Sequence, residues 1–199
     1  MIKTMNYLAH VYLSGTDQDL SIGNFIADHV KGKAYLDYPD SIQRGILLHR
    51  KIDHFTDQHP LFKKNVTLLF PQFRHYSRVI VDMFFDHFLA AQWEFYHPDP
   101  LEDFSRQFYL LMQGYSGRLP DKTKKILPVI AKYNWFVAYR SLQGLESILY
   151  RMSQRTRLHS NMSLAVLNLE KNYSNIALDF KVFFNELEDF VKHEKENLS

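Results

Sequence analysis

An all-α fold, a single-domain helical bundle over 1–199, is predicted by three features of the sequence. Glycine and proline, which would supply the turns of a many-stranded sheet, number only seven each in 199 residues. Valine-rich alternating runs, which are typical of strands, are few. Apolar residues instead recur at helical spacing, and no repeat, low-complexity tract or linker divides the chain.

The order of helices follows from turn and capping residues. Gly15 and Asp17 supply turn and cap chemistry after the first helix, and Pro60 ends the third. Pro128 is expected as a kink or break in a later helix, and Gly144 as an interruption. The predicted helices cover 5–13, a second segment ending near 32, 40–58, 73–96, 101–114, 120–133 and 135–157.

The last segment is predicted to be a long amphipathic helix that packs against the rest of the bundle. Charged residues at Glu186, Glu188, Asp189 and Lys192 lie between its apolar positions and are expected to form a solvated face. The apolar positions, close to helical spacing, are Leu167, Tyr173, Ile176, Phe180, Phe183, Leu187 and Phe190.

Composition excludes several classes of protein. An apolar fraction of 46%, with 16 Phe and 12 Tyr, predicts a packed core and not a disordered chain. The absence of cysteine excludes disulfides and thiolate zinc sites and suits the cytoplasm, the expected location. No secretory signal or membrane span of roughly 20 apolar residues is recognisable, so no membrane partner is expected. A net charge of only +2 argues against nucleic acid as a partner.

Histidine and aspartate recur on one face of the predicted helix 40–58. In the stretch HRKIDHFTDQHP, His49 and Asp53 are four residues apart and Asp57 lies one turn further on. Such a pair binds a single cation in some helices and is plain surface in others. Arg50 and Lys51 lie on other faces of the helix. Ion pairs at i,i+4 spacing therefore explain the row of His49, Asp53 and Asp57 poorly.

A second acidic pair, in VDMFFDHFLAAQW, is surrounded by apolar residues. Asp82 and Asp86 are four residues apart, and His87 adjoins the second. Burying carboxylates in so apolar a helix is costly unless they are paired or bound to a metal. A cation shared with His49 and Asp53 would satisfy both clusters.

His10, in NYLAHVYL, and Asp28, in GNFIADHV, are lone polar residues in otherwise apolar helices. Taken alone, His10 is typical of a core histidine with one hydrogen bond, and Asp28 of a cap or an ion-pair residue as much as of a ligand. Convergence of several such residues favours a metal site built from N and O ligands. The other histidines are expected at the surface, at His54, His59, His75, His97, His159 and His193.

The strings NYLAH, GNFIAD, HRKIDHFTD, DMFFDHFL, WFVAYR and RMSQR resemble the acyl carrier protein phosphodiesterase family, in the same order and with similar spacing from about 5 to 158. That family is similar to an atypical branch of the all-helical HD phosphohydrolases. The resemblance implies a manganese-dependent hydrolase that removes the 4′-phosphopantetheine arm from holo acyl carrier protein. The ordered His-Asp doublet of HD enzymes is missing, and Asp-His stands at 53–54 and 86–87.

Carried over to this sequence, the resemblance implies a set of metal-site positions, His87 among them, and the chemistry of phosphodiester hydrolysis suggests the catalytic roles. Asp28, His87 and Arg50 are the expected catalytic residues, with His87 moving the proton and Arg50, or Lys51, holding a phosphate oxygen. Asp57 and Asp82 are expected to support the ligands. Mn²⁺ is the expected ion, with Mg²⁺ or Fe²⁺ as alternatives for such ligands. The implied ligands are His10, Asp28, His49, Asp53 and Asp86.

Acyl carrier proteins are small and acidic, so a basic docking surface is expected. The preferred surface is RMSQRTR, with Arg151, Arg155 and Arg157, although solvated charge explains it equally well. Trp135, Phe136 and Tyr139 are candidates for an apolar path for the arm, or for plain core. The second basic cluster is Lys122, Lys124, Lys125 and Lys132.

Two other readings of the residues stay open. One keeps the metal site but changes the substrate to a nucleotide or another small phosphodiester. The other is a non-enzymatic helical binding protein whose buried acids pair with arginine. The oligomeric state is not determined by the sequence.

Overall fold

The computed structural model describes residues 7–154 and 160–197, and within these ranges the chain is helical without strands, as a single all-α domain. The predicted fold class is therefore confirmed. Short 3₁₀ turns connect several of the helices. The helices of the described ranges are α1 (Tyr7–Ser14), α2 (Gln18–Ile26), α3 (Asp40–Gln58), α4 (Pro60–Phe73), α5 (Ser77–Ala91), α6 (Leu101–Gly114), α7 (Asp121–Lys132), α8 (Trp135–Ala138), α9 (Leu142–Ser153) and α10 (Ala165–Asn197).

Helix α3 has the predicted bounds, but helix α4 was not predicted. Pro60 ends α3 and also opens α4, because proline suits the first turn of a helix, where its missing N–H is no loss. Pro71 lies inside α4 and Pro128 inside α7 without ending either helix. The expected run 73–96 is shorter in the structure, since 3₁₀ turns flank α5.

Helices α2 and α3 cross at two glycines. A Cβ added to Gly23 would lie 2.2 Å from the carbonyl oxygen of Ile42, and one added to Gly45 would lie 2.3 Å from that of Leu20. Only glycine allows this approach of the two backbones. The crossing brings Asn24, directly after Gly23, next to His49 of α3.

Helix α5 forms the centre of the bundle. All residues from Val79 to Ala90 are buried, and the helix packs against α1, α4, α9 and α10. Asp82 and Asp86 are 1% and 0% exposed, so their apolar sequence neighbours correctly predicted burial.

Helix α10 is the predicted long amphipathic helix, with a kink at Asn172. Most of the predicted apolar positions are buried, but Leu167 is 63% exposed. The charged face is partly engaged: Glu188 accepts a hydrogen bond from the Tyr12 hydroxyl at 2.6 Å, and Glu186 contacts His59. His59, expected at the surface, is buried, with its ring packed against Phe55 and Phe183.

The predicted helix 135–157 is two helices. Residues 139–141 separate α8 from α9, and a Cβ on Gly144 would lie 2.0 Å from the carbonyl oxygen of Ala138. No helix of the described part of the chain is long and apolar enough to cross a membrane.

Candidate metal centre

Two imidazoles and two carboxylates converge where α1, α3 and the 3₁₀ turn after α2 meet. His10 comes from α1, His49 and Asp53 from α3, and Asp28 from the turn Ala27–His29. One donor atom from each of His10, His49 and Asp53 lies within 4.8 Å of the others. We call these four residues the candidate metal centre.

The carboxylate of Asp53 bridges the two imidazoles. Its Oδ1 lies 3.3 Å from Nε2 of His10, and its Oδ2 lies 3.2 Å from Nε2 of His49. Asp28 Oδ1 lies 3.4 Å from the same His49 nitrogen. His10, His49 and Asp28 are buried, whereas the Asp53 side chain is 26% exposed. The centre therefore opens to solvent at Asp53.

Asn24 orients both imidazoles, a role that was missed in the sequence. Its amide nitrogen donates to the His10 carbonyl oxygen, a group that can only accept, so its Oδ1 faces the rings. That oxygen accepts from Nδ1 of His10 at 2.7 Å and from Nδ1 of His49 at 3.2 Å. Both Nε2 atoms are thereby directed into the cluster. The available signal was the amide in GNFIAD, four residues before Asp28.

The donor set fits a divalent cation. Nε2 of His10 and Nε2 of His49 are buried, and each faces a carboxylate oxygen of Asp53. Neighbouring ligands of an octahedral ion with bonds of about 2.1 Å lie about 3 Å apart, close to the spacings here. Imidazole with carboxylate suits Mn²⁺, Fe²⁺ or Zn²⁺.

The pKa shifts of the histidines and of Asp53 indicate that the carboxylates of the centre favour a positive charge beside them. Burial lowers the pKa of His49, but the carboxylates of Asp53 and Asp28 outweigh it and raise that pKa to about 10. Burial and the neighbouring His49 together lower the pKa of His10. For Asp53, the two imidazoles outweigh burial and hold the pKa of its carboxyl well below its usual range. A divalent cation supplies the charge that a proton otherwise brings.

Asp86, an expected ligand, has other partners. Its Oδ2 accepts a hydrogen bond from the amide of Leu8 at 3.1 Å, and its Oδ1 from that of Ala9 at 2.9 Å. These amides open α1, so Asp86 satisfies the free donors of a helix end from a distant part of the chain. Burial raises the pKa of Asp86 to about 8 in spite of these two hydrogen bonds.

His87 and Arg50, expected to be catalytic, also make other contacts. Nδ1 of His87 lies 2.7 Å from the Tyr139 carbonyl oxygen, and its Nε2 lies 2.9 Å from the Tyr173 hydroxyl. Arg50 donates to the carbonyl oxygens of Val30 and Gly32 at 3.1 and 2.8 Å. Arg50 therefore fixes the chain after Asp28 in place.

The expected supporting residues Asp57 and Asp82 lie on α3 and α5. Asp57 pairs with Arg78, and Lys51 pairs with Glu194. Asp82 is buried next to a small void that Thr56 also lines, and its Oδ2 makes no hydrogen bond.

The predicted docking residues are only partly described. Arg151 stacks over the Tyr133 ring at 3.7 Å, and Arg155 and Arg157 lie outside the described residues. The four lysines of the second basic cluster are exposed on α7. Trp135, Phe136 and Tyr139 are at most 1% exposed, so they are core residues and not the walls of an open path.

The fold and the site define an all-helical protein with a candidate centre of two histidines and two aspartates for a divalent cation. A family model described as acyl carrier protein phosphodiesterase matches residues 5–187, and the chain belongs to that family. The resemblance inferred from the motifs is confirmed.

Curated relatives match over nearly their whole length. A protein named acyl carrier protein phosphodiesterase from Pectobacterium atrosepticum is 29% identical over 94% of this chain and 98% of its own. Relatives of the same name from Yersinia pestis and Photorhabdus laumondii are each 27% identical, over 96% and 97% of this chain and 100% and 96% of theirs. No solved structure matches this chain.

Proposed function

We propose that this protein hydrolyses the phosphodiester of holo acyl carrier protein with a divalent cation held by His10, His49 and Asp53. Water adds its oxygen to phosphorus, the bond from phosphorus to the carrier serine oxygen breaks, and that oxygen takes up a proton. The products are the apo carrier protein and 4′-phosphopantetheine. Family membership supports the substrate.

The observation that carries the proposal is the pair of buried Nε2 atoms that both face the Asp53 carboxylate, at 3.3 and 3.2 Å, from rings that Asn24 holds by their Nδ1 atoms. Without a cation, a proton on His49 has to balance the charge of the two carboxylates, and a divalent cation supplies that charge instead. When bound, the cation neutralises phosphate charge and lowers the pKa of a water molecule.

The side chains around the ligands have separate tasks. Asn24 holds both imidazoles by their Nδ1 atoms. Asp28, beside His49, accepts the proton released by the attacking water, a task that suits it better than His87, whose two nitrogens are occupied. Asp86 is left out of the ligand set, because both of its oxygens accept backbone hydrogen bonds.

Mn²⁺ is the proposed ion, with Fe²⁺ or Mg²⁺ next, since hard carboxylate oxygens combine here with imidazole. The proposed partner is acyl carrier protein, whose acidic surface would meet the lysines of α7 or Arg151. The similarity to HD phosphohydrolases stays a prediction.

Incubation with holo acyl carrier protein and Mn²⁺, followed by mass spectrometry, tests the proposal. We expect loss of the prosthetic group, its abolition by a chelator, and no turnover by His49→Ala. His54→Ala is the matched control, because His54 is exposed on the same helix.

Other outcomes separate the alternatives. An intact holo protein together with Mn²⁺-dependent cleavage of bis-p-nitrophenyl phosphate would favour a small phosphodiester as substrate. If neither compound is cleaved and the purified protein binds no Mn²⁺, the protein is a binding protein and the proposal is wrong.

A further inference from the structure

A cleft of about 640 Å³ is lined in part by His29 and Val30, the two residues that follow Asp28 of the candidate metal centre. Its walls are the 3₁₀ turns Ala27–His29 and Ala34–Asp37 on one side and the turn Ser116–Arg118 on the other. None of the residues that line the cleft belongs to the candidate metal centre. We call this feature the side cleft.

One wall of the side cleft is continuous with the metal centre. Asp28 of the centre and His29 of the cleft are consecutive residues of one short turn. Val30, which also lines the cleft, accepts a hydrogen bond through its carbonyl oxygen from Arg50, the residue after His49. The segment from Asp28 to Val30 therefore joins the metal centre to one wall of the side cleft.

The side chains that line the side cleft include hydrogen-bond donors and acceptors, and both a cationic and an anionic group. Arg118 and His29 donate, Asp37 accepts, and the phenols of Tyr38 and Tyr115 do both. The Tyr115 hydroxyl is buried beside the guanidinium of Arg118. Burial first, and then the neighbouring Tyr115, raise the pKa of Tyr38, so these phenols stay protonated at neutral pH.

Such a lining suits a neutral chain of amides and hydroxyls better than a second anion. A phosphate would lie near the Asp37 carboxylate, whereas an amide chain offers an N–H to a carboxylate and a C=O to a guanidinium. The volume falls within the range of about 300–1,000 Å³ that is typical of small-molecule sites.

The wall nearest the metal centre is held in place before any substrate binds. Nδ1 of His29 lies 2.8 Å from the Thr123 hydroxyl at the start of α7. On the other side, Arg50 donates to the Gly32 carbonyl oxygen and its guanidinium lies 5.1 Å from the centre of the Tyr35 ring. A fixed wall reduces the entropy lost on binding.

We propose that the side cleft binds the pantetheine portion of the substrate, with its two amides and its hydroxyl, while the phosphate lies at the metal centre. This inference rests on the proposed function and assigns it a second subsite. The side cleft thereby distinguishes a pantetheine ester from other phosphodiesters.

Calorimetric titration of the Mn²⁺-loaded protein with pantetheine, which lacks the phosphate, tests the inference. Ala34→Trp fills the cleft from an exposed position, and we expect affinity for pantetheine to fall about tenfold or more. Lys33→Trp is the matched control, because Lys33 is the exposed neighbour that does not line the cleft. Tyr115→Phe, which removes a hydroxyl from the wall of the cleft, is expected to weaken binding about 3- to 10-fold.

The outcomes separate this inference from the proposed function. If the wild-type protein cleaves holo acyl carrier protein but does not bind pantetheine, the inference is wrong and the function stands. If pantetheine binds, and Ala34→Trp abolishes that binding whereas Lys33→Trp does not, the side cleft is the pantetheine site. This conclusion holds even when holo acyl carrier protein is not cleaved. Equal binding of pantetheine by Ala34→Trp and Lys33→Trp, or tighter binding of adenosine than of pantetheine, would overturn the inference.

Discussion

Asn24 determines which nitrogen of each histidine faces the candidate metal centre. Because its oxygen accepts from both Nδ1 atoms, a single amide fixes the tautomer and the ring orientation of two ligands. The rings stack with centroids 4.0 Å apart, a close approach of two imidazoles that a shared acceptor helps to hold.

Replacement of Asn24 by Ala is expected to weaken Mn²⁺ binding about 10- to 100-fold, the usual cost of losing a partner that orients metal ligands. Titration of the metal-free protein with Mn²⁺, followed by electron paramagnetic resonance, measures the affinity. Asn65→Ala is the control, because Asn65 is an equally buried amide that bonds Asp179 in another part of the bundle. Unchanged affinity in Asn24→Ala would contradict the orienting role.

The raised pKa of Asp86 predicts that the stability of the fold depends on pH. Its pKa is about 8 in the folded protein against an ordinary value of about 4. The folded state therefore keeps a proton that the unfolded state releases, and the contribution of Asp86 to stability is full at low pH and falls as pH rises through 8. The difference in free energy of unfolding between wild type and Asp86→Asn, measured with urea and chelator, should decrease from about pH 5 to pH 9. A difference that is flat or rises would contradict this assignment.

Residue chemistry allowed part of the site to be predicted. His10 and Asp28 are predicted from their apolar surroundings, His49 and Asp53 from their spacing on one helix face, and the structure brings all four together. The same reasoning placed Asp86 with them, but its partners are backbone amides of α1. Side-chain spacing gives the face of a helix, and it does not show that another helix ends opposite that face.

At the scale of elements, the crossing of α2 and α3 positions the site. Gly23→Ala would place a methyl group 2.2 Å from the carbonyl oxygen of Ile42, so the two helices must separate. We expect a loss of about 1–3 kcal/mol of stability from overpacking. Because Asn24 and His49 lie on the separated helices, Mn²⁺ affinity should fall as well.

Thermal unfolding and Mn²⁺ titration of Gly23→Ala measure both effects. Gly114→Ala is the control, since a Cβ at this helical glycine meets no atom within 4 Å. A variant of Gly23 that loses stability but binds Mn²⁺ with full affinity would show that the crossing does not position the centre.

Helix boundaries were predictable where the residue at the boundary is compatible with only one local structure. Asp17 caps α2 as expected, by accepting from the amide of Leu20. Helix α4 was missed because Pro60 and Pro71 suggested a break, whereas one opens the helix and the other is accommodated in its last turn. Gly23 and Gly45 carried a signal that was not used: glycine inside a helix often marks a close packing partner.

At the scale of the whole molecule, composition predicted the all-α class, because scarce glycine and proline and abundant helical periodicity exclude a sheet-rich fold. Composition did not predict that the last helix, α10, contacts the end of α1. Lys195, near the end of α10, donates to the carbonyl oxygens of Leu13 and Ser14 at the end of α1, the helix that carries His10. Such a contact joins residues 181 positions apart, and no local pattern indicates it.

If the centre binds a cation only in the folded state, the ion must stabilise the whole bundle. At a Mn²⁺ concentration about 100 times the dissociation constant, the gain is about 2.7 kcal/mol, which corresponds to a rise in Tm of about 5–10 °C for a chain of this length. Differential scanning calorimetry with chelator, Mn²⁺ or Ca²⁺ measures it, and Ca²⁺ should have little effect because it prefers ligands that are all oxygen. His10→Ala should lose the rise, whereas His193→Ala, at an exposed position of α10, should keep it. A rise in Tm that persists in His10→Ala would place the ion elsewhere in the molecule.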